Sequence, residues 1–271
     1  MLLPLYQVDA FADRPFAGNP AAVCLLAQWL PDGVLHSIAA ENNLSETAYL
    51  VPGVPASGAP PTWQIRWFTP TTEVALCGHA TLASAHVLFD ALGLNSDSVV
   101  FQTRQSGTLT VRRDGGKLEM DFPAWPRSEC PADPAVSSAL GAEPETLYHG
   151  TDWMAVFATR AQVAGLAPDM AGLARLPTRG IICTAPADPE LDGNANFVSR
   201  MFAPASGIPE DPVTGSAHCM LTPYWTQRLE RPSLVGRQIS PRGGRIGCRM
   251  GRDRVYLSGT CALYLTGTIR V

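Results

Sequence analysis

With 271 residues, a formal net charge of −4 and 46% hydrophobic residues, the chain can bury a core without disulfides or structural metals. Its basic residues are spread along the sequence with no run longer than Arg112-Arg113, which does not favour the charge cluster of a nucleic-acid-binding surface. No apolar run reaches the roughly 18 residues of a membrane helix. These properties favour a soluble protein whose partner is a small molecule, with no nucleic acid and no membrane.

The cysteines indicate the compartment. They are odd in number, widely scattered and never spaced as CxxC, which argues against a disulfide framework and against a structural zinc site. The opening residues are broken by Pro4 and carry Asp9, unlike a signal peptide, and they predict a first strand. We therefore expect a cytoplasmic protein. The seven cysteines are Cys24, Cys77, Cys130, Cys183, Cys219, Cys248 and Cys261.

The first half predicts several strands and one main helix. Apolar residues recur at helical spacing from His79 to Leu92, and Gly93 stands where a C-terminal cap belongs. Asp114, Gly115 and Gly116 predict a hairpin turn. The predicted strands are Leu44 to Val51, Gln64 to Thr69, Val99 to Thr103, Thr108 to Arg112 and Lys117 to Phe122.

The second half repeats the first. Glu73 to Ala80 aligns with Glu210 to Ala217, 137 positions later, with the Glu, Gly and Ala positions identical. The same offset places Leu109 over Ile246 and Arg112 over Arg249, whereas Phe68-Thr-Pro70 matches Phe202-Ala-Pro204 at an offset of 134. Such a repeat predicts two copies of one structural unit. The copies are expected at 1–122, joined by a closing strand at 259–271, and at 123–258.

The second copy should resemble the first with small changes. Its strands are expected between Gln238 and Leu257, and its helix should begin near Ser216. Pro223 lies inside that helix and should kink or shorten it. Cys261 to Val271 alternates like a strand and could close either copy.

In both copies a glycine stands where a loop enters a helix, at Gly78 and at Gly215. The free N–H groups and the positive end of such a helix can bind an anion. If the copies are related by a pseudo-twofold axis, both turns would meet in one cleft, which would suit a small carboxylated substrate. The alternative for either glycine is ordinary turn geometry.

Glu46 is the candidate proton-transferring base. In a strand it shares a face with Leu44, Ala48 and Leu50, and burial on an apolar face would make the carboxylate a usable base near neutral pH. If the face of Ser45, Thr47 and Tyr49 is the buried one instead, Glu46 lies in solvent. The periodicity leaves both possibilities open.

His79 and Cys77 admit more than one role. His79 is either a structural histidine or a catalytic group whose tautomer a partner such as Asp211 or Ser216 could fix. Cys77 is either a base or, as the residue type favours, a small buried hydrophobe. The histidine and cysteine spacings match no metal-binding motif, and no nucleotide-binding loop is present, so neither a metal nor a cofactor is expected.

Four motifs resemble the PhzF-like (phenazine biosynthesis-like) family over the whole chain. They are Tyr6-Gln-Val-Asp-Ala-Phe11 with Phe16-Ala-Gly-Asn-Pro20, then Asn43-Leu-Ser-Glu-Thr47, Leu76-Cys-Gly-His-Ala-Thr81 and Glu210-Asp-Pro-Val-Thr-Gly-Ser-Ala217.

This resemblance implies an α+β, diaminopimelate-epimerase-like fold of two pseudo-symmetric halves, each a mostly antiparallel sheet around a central helix, often as a homodimer. It implies cofactor-independent chemistry like the isomerisation of trans-2,3-dihydro-3-hydroxyanthranilate, in which a proton moves from C3 to C1. The resemblance also implies roles at matching positions: Glu46 is the base, His79, Asp211 and Ser216 are the polar groups around the substrate, and Gly78 and Gly215 are the substrate-binding turns.

Two alternatives stay open. An amino-acid racemase or epimerase of the related families uses two cysteines, and this chain carries Thr214 where the second would stand. A binding protein that has kept the fold and lost the activity is the other, because a fold does not guarantee a function.

Overall fold

The computed structural model describes residues 1–271, and it contains eighteen strands and seven α-helices. The strands are β1 (Leu2–Ala10), β2 (Asn19–Leu25), β3 (Glu46–Pro52), β4 (Thr62–Phe68), β5 (Glu73–Val74), β6 (Ser98–Gln102), β7 (Thr108–Asp114), β8 (Lys117–Pro123), β9 (Ser128–Cys130), β10 (Thr146–His149), β11 (Trp153–Val156), β12 (Ile181–Pro186), β13 (Phe197–Ala203), β14 (Ile208–Asp211), β15 (Ser233–Gln238), β16 (Gly244–Met250), β17 (Arg254–Gly259) and β18 (Cys261–Arg270). The helices are α1 (Asp32–Asn42), α2 (Gly78–His86), α3 (Pro134–Leu140), α4 (Arg160–Gly165), α5 (Met170–Ala174), α6 (Pro189–Asp192) and α7 (Gly215–Leu229). No helix is both long and apolar enough to span a membrane.

The chain forms two compact units. The N-terminal unit comprises Met1–Phe122 and Ser258–Val271, and the C-terminal unit comprises Pro123–Leu257. Each unit combines a mixed sheet with several helices, so the predicted α+β class is confirmed.

In the N-terminal unit the strands lie in the order β18, β1, β2, β3, β4, β6, β7, β8, with the short β5 paired to β4. Two of these pairings are parallel, β2 with β3 and β4 with β6. The closing strand β18 therefore belongs to this unit, where it pairs with β1 in antiparallel fashion.

The C-terminal unit repeats this order as β9, β10, β11, β12, β13, β15, β16, with β14 paired to β13. Its parallel pairings, β11 with β12 and β13 with β15, occupy the same places in the order. The identical arrangement of antiparallel and parallel neighbours shows that the two units have the same topology.

One helix in each unit is buried in the core. In α2 every residue from His79 to Ala85 is buried, and in α7 the buried residues extend from Gly215 to Trp225 with few interruptions. A second layer covers the N-terminal sheet, where Leu35 and Ile38 of α1 pack with Tyr49 and Phe68. The C-terminal unit has its own apolar core around Phe157 and Phe202. Both cores place the beginning of a buried helix beside the ends of central strands.

A bidentate arginine–glutamate pair recurs in both units. Arg66 on β4 donates from Nε and Nη2 to the carboxylate of Glu73 at 2.7 Å each, and its guanidinium lies over Phe68. Arg200 on β13 makes the same pair with Glu210, at 2.7 and 2.9 Å, and lies over Phe202. Because these residues occupy equivalent positions, the sequence repeat extends to individual contacts.

Two local predictions are confirmed and one is corrected. The hairpin turn has Gly115 and Gly116 at φ of +52° and +83°, the left-handed conformations that a two-residue turn requires. The helix that starts at Gly78 continues as one π-helical turn over Val87–Ala91 before Gly93. The equivalent of β6 begins at Ser233, five positions before the predicted Gln238, which is its last residue.

Pro223 does not shorten α7, which runs for 15 residues. A proline lacks the N–H that would bond to the carbonyl four residues earlier, here that of Cys219. That carbonyl accepts a hydrogen bond from the backbone N–H of Trp125 at 3.0 Å instead. The helix continues because another part of the same unit satisfies the freed oxygen.

The strand registers show which position corresponds to Glu46. Thr47 pairs with Phe68 in the N-terminal unit, and Ile181 pairs with Phe202 in the C-terminal unit. The residue before Thr47 is Glu46, and the residue before Ile181 is Gly180, so these two positions are equivalent. A Cβ at Gly180 would lie 2.5 Å from Cε of Met201 and 2.8 Å from the carbonyl oxygen of Phe202, so a side chain has no room there.

We therefore expect Gly180→Ala to destabilise the protein by about 1–3 kcal/mol, because part of the clash is with backbone. Gly33→Ala is the control, since a Cβ at that exposed helical position meets nothing within 4 Å. Chemical unfolding of both variants checks this, and equal stabilities would contradict the close packing at Gly180.

Candidate active site

Glu46 is the first residue of β3 and lies opposite Ala21 in the parallel pairing with β2. Its side chain is only 12% exposed, and Ala48 and Leu50 on the same face are fully buried. The possibility that Glu46 lies in solvent is therefore wrong. Periodicity could not decide between the faces because both faces of this strand are covered, as the buried Thr47 and Tyr49 show.

His79, the second residue of α2, is buried, and the amide of Asn19 and the thiol of Cys77 both contact its Nδ1, at 3.2 and 3.5 Å. The hydroxyl of Ser45 lies 3.4 Å from Oδ1 of Asn19, which leaves the NH2 group to face the histidine. These contacts assign Nδ1 of His79 as a hydrogen-bond acceptor. The proton of the neutral ring is therefore assigned to Nε2.

Nε2 of His79 lies 3.2 Å from Oε2 of Glu46, although the N–H is not directed straight at the oxygen. Burial lowers the pKa of His79 to about 3, so the ring is neutral near pH 7. The pair is therefore a carboxylate beside a neutral N–H donor.

Cys77 is buried and precedes the helix in an extended conformation. Its Sγ, a nitrogen of His79 and an oxygen of Glu46 lie within 4.8 Å of one another, a donor set that the sequence spacing did not reveal. In this structure the thiol lies 3.5 Å from Nδ1 and the carboxylate lies 3.2 Å from Nε2. A metal ion would bind only one of these nitrogens.

The glycine turns have the expected local form. Gly78 and Gly215 are the first residues of α2 and α7, and neither helix has a side chain that caps its N-terminus. Each cap residue, Cys77 or Thr214, is extended. The first N–H groups of both helices lack the side-chain acceptor that usually satisfies them, as an anion-binding turn requires.

Asp211 is held by two neighbours in the C-terminal unit. The hydroxyl of Thr214 donates to Oδ2 of Asp211 at 2.5 Å, and the side-chain amide of Gln238 donates to the Asp211 carbonyl at 2.6 Å. Gln238 also accepts a hydrogen bond from the N–H of Thr214 at 2.9 Å. Sequence analysis placed Gln238 only as a strand residue, because its role depends on a contact between distant parts of the chain.

Ser216 has a partner that sequence analysis missed. Nη2 of Arg179 lies 3.3 Å from its Oγ, and the same guanidinium forms a bidentate pair with the fully buried carboxylate of Asp152. The available signal was the position of Arg179, directly before Gly180 and hence equivalent to Ser45.

The N-terminal unit brings together Glu46, His79, Gly78 and Cys77. Asp211, Thr214, Gly215 and Ser216 belong to one turn and helix start of the C-terminal unit. The tautomer of His79 is fixed by Asn19 within its own unit. That both groups of residues meet one substrate in a shared cleft stays a prediction.

The neutral state of His79 should make stability depend on pH. An unfolded histidine binds its proton near pH 6.5 and folded His79 near pH 3, so its contribution is complete above pH 6.5 and is lost as the pH falls towards 3. The free energy of unfolding should decrease by about 1.4 kcal/mol per pH unit in this window for this group alone. Urea unfolding across the window should give a smaller slope for His79→Gln, and identical slopes would contradict the low pKa.

Comparison with known proteins identifies relatives over the whole length. The family model described as phenazine biosynthesis-like protein, PhzC-PhzF, matches residues 8–267. A protein of Pseudomonas aeruginosa named an uncharacterized isomerase is 48% identical over 272 residues, covering 100% of both chains. The crystal structure of a PhzF-family protein from Enterococcus faecalis superposes with a TM-score of 0.93 at 41% identity, again over 100% of both chains.

The wider fold is shared with racemases and epimerases. A hydroxyproline epimerase from Agrobacterium vitis gives a TM-score of 0.61 at 12% identity, covering 99% of this chain and 92% of that one. At this identity the likeness concerns the fold alone. The full-length family match and the similar isomerases show that this chain belongs to the phenazine biosynthesis-like PhzC-PhzF family of isomerases.

Proposed function

We propose that the protein is a cofactor-independent isomerase in which Glu46 moves a proton on a small carboxylated substrate. The reaction would resemble the isomerisation of trans-2,3-dihydro-3-hydroxyanthranilate. The observation that carries the proposal is the contact between the largely buried carboxylate of Glu46 and Nε2 of neutral His79. A base for carbon acids needs such a shielded carboxylate beside a group that can orient it.

The proposed reaction uses one proton and one base. The carboxylate of Glu46 takes the proton from C3, the electrons of that C–H bond delocalise into the conjugated system, and the protonated Glu46 returns the proton at C1. Because His79 is neutral, it can donate its Nε2 hydrogen to Glu46 without forming an ion pair that would hold the carboxylate in its charged form. Asn19 keeps the ring in that tautomer.

The other polar residues are proposed to bind the substrate. The N–H groups that follow Gly78 and Gly215 would donate hydrogen bonds to its anionic group, and Asp211 and Ser216 would contact its remaining polar atoms. Support comes from the absence of side-chain caps at both helices and from the contacts that hold Asp211 in place. The amino-acid racemase is the weaker candidate, because Thr214 stands where a second thiol would be needed and a hydroxyl is too weak an acid to supply a base.

Glu46→Gln should lower the rate by about a hundred- to ten-thousand-fold, the usual effect of removing a positioned base. Cys77→Ser is the matched variant at the neighbouring side chain and should keep most of the activity. The measurement is NMR of proton exchange in deuterium oxide, with trans-2,3-dihydro-3-hydroxyanthranilate and a panel of carboxylated dihydroaromatic and amino-acid-like compounds. A dispensable Glu46 together with an essential Cys77 would favour cysteine-based racemisation. No exchange with any compound would favour a binding protein.

The chemistry is proposed to need no metal. The thiol of Cys77 lies 3.5 Å from Nδ1 of His79 and the carboxylate of Glu46 lies 3.2 Å from Nε2, so their contacts are with different ring nitrogens, of which an ion would bind only one. Dialysis against EDTA should leave the exchange rate unchanged. A loss of activity that added Zn²⁺ restores would show that these residues form a metal site.

Two further properties are proposed with the function. All seven cysteines are free thiols, which suits a reducing compartment such as the cytoplasm. We propose a homodimer because of the family resemblance, and light scattering after size-exclusion chromatography would give its mass.

A further inference from the structure

Arg179 is held in one orientation by a buried partner. Its Nε and Nη2 donate to the two carboxylate oxygens of Asp152 at 2.8 and 2.5 Å, and Asp152 is completely buried. The guanidinium also lies over the ring of Trp125, with 5.8 Å between Cζ and the ring centroid. A bidentate pair with an aromatic contact fixes the plane of the group and removes most of its rotational freedom.

The same side chain still reaches solvent. It is 45% exposed, and Nη2 lies 3.3 Å from the hydroxyl of Ser216, the second residue of α7. Neutralising Asp152 does not by itself require the guanidinium to lie beside the start of α7, which carries candidate substrate-binding groups. Burial alone would lower the pKa of Arg179. The hydrogen bonds to Asp152 and the negative charge of that carboxylate outweigh burial, so the pKa of Arg179 is raised.

The repeat gives independent support. Arg179 and Gly180 precede β12 and occupy the positions that Ser45 and Glu46 have at the start of β3. Ser216 follows Gly215 as His79 follows Gly78. The contact between Arg179 and Ser216 in the C-terminal unit therefore joins the positions of Ser45 and His79, one residue away from the contact between Glu46 and His79 in the N-terminal unit. Adjacent positions of the repeat thus carry an acidic group in one unit and a basic group in the other.

We propose that Arg179, positioned by Asp152, binds the carboxylate of the substrate together with Ser216. The identity of the ligand rests on the proposed function, whereas the anion site rests on the geometry of the C-terminal unit. Arg179 is then a substrate-binding residue that determines specificity for an acid over its neutral analogue.

The nearby charges favour a carboxylate over a phosphate. Asp152 cancels the formal charge of Arg179, and Asp211 adds a negative charge that also acts on the guanidinium. A doubly charged anion gains little from such surroundings. A planar, singly charged carboxylate can be bound by directed hydrogen bonds from the guanidinium, the Ser216 hydroxyl and the N–H groups at the start of α7.

The test is an NMR titration of the intact protein with benzoate and with benzamide, which has the same shape without the charge. The signals followed are the side-chain Nε–H of Arg179 and the backbone N–H of Ser216. We expect saturable shifts with benzoate and none with benzamide. Asp152→Asn combined with Arg179→Gln keeps a hydrogen-bonded pair while removing both charges, and it should weaken benzoate binding by roughly ten- to a hundred-fold.

The matched control is Arg160→Gln. Arg160 also pairs with a completely buried aspartate, Asp192, which keeps Arg237 as a second partner. This variant should bind benzoate as the wild type does, and thermal unfolding of both variants establishes that they are folded. For the double variant, binding is followed at the Ser216 N–H.

Absence of saturation with benzoate, equal binding of benzamide, or unchanged affinity in the double variant would each overturn the proposal. A failure of the proposed isomerase would appear as missing proton exchange with this binding preserved, so the two failures are distinguishable.

Discussion

Each unit depends on a paired arginine and glutamate that fasten a turn to the sheet. Arg66 and Arg200 extend from equivalent strands and hold Glu73 and Glu210, which lie just before the glycine turns. Arg66 is nearly buried and also donates to Asp32 at 2.8 Å, and a buried guanidinium without any carboxylate partner would cost several kcal/mol. The pair thus fixes where the following buried helix begins, and the beginning of that helix is where His79 and Ser216 stand.

On this common framework the two units present different residues at equivalent places. The N-terminal unit surrounds Glu46 with a buried, neutral histidine and a small thiol, which suits proton transfer. The C-terminal unit places Asp211 and Ser216 among hydrogen-bond partners, which suits the binding of polar groups. Duplication permits this division because the backbone is maintained by contacts outside the turns, so the turn residues are free to diverge.

Much of the fold and part of the site could be predicted from the sequence. The repeat, the hairpin at Gly115 and the helix starts at Gly78 and Gly215 follow from local patterns, and local patterns are what a single sequence records best. The burial of Glu46 could not be decided, since alternation is informative only for a strand with one wet face. The continuation of the helix through Pro223 was not predicted either. It depends on a hydrogen bond from the N–H of Trp125, which lies nearly a hundred residues earlier in the chain.

The same reasoning explains why Arg179 was missed. Its partner Asp152 is 27 positions away, and neither residue belongs to a recognisable motif. The strand registers show that Arg179 stands where Ser45 stands in the other unit. A site residue that arises by divergence of a repeat becomes visible when the repeat is aligned by structure.

The comparison of duplicated positions also bears on the type of reaction. Glu46 corresponds to Gly180, where Met201 and the backbone of Phe202 leave no space for a side chain. Cys77 corresponds to Thr214, whose hydroxyl is engaged with Asp211. At neither place does the C-terminal unit supply a counterpart that could act as a base. A racemase must remove a proton on one face and add it on the other, which requires two such groups. A single carboxylate that takes a proton and returns it to another carbon needs no counterpart. The close packing at Gly180 is therefore compatible with a reaction that uses one base.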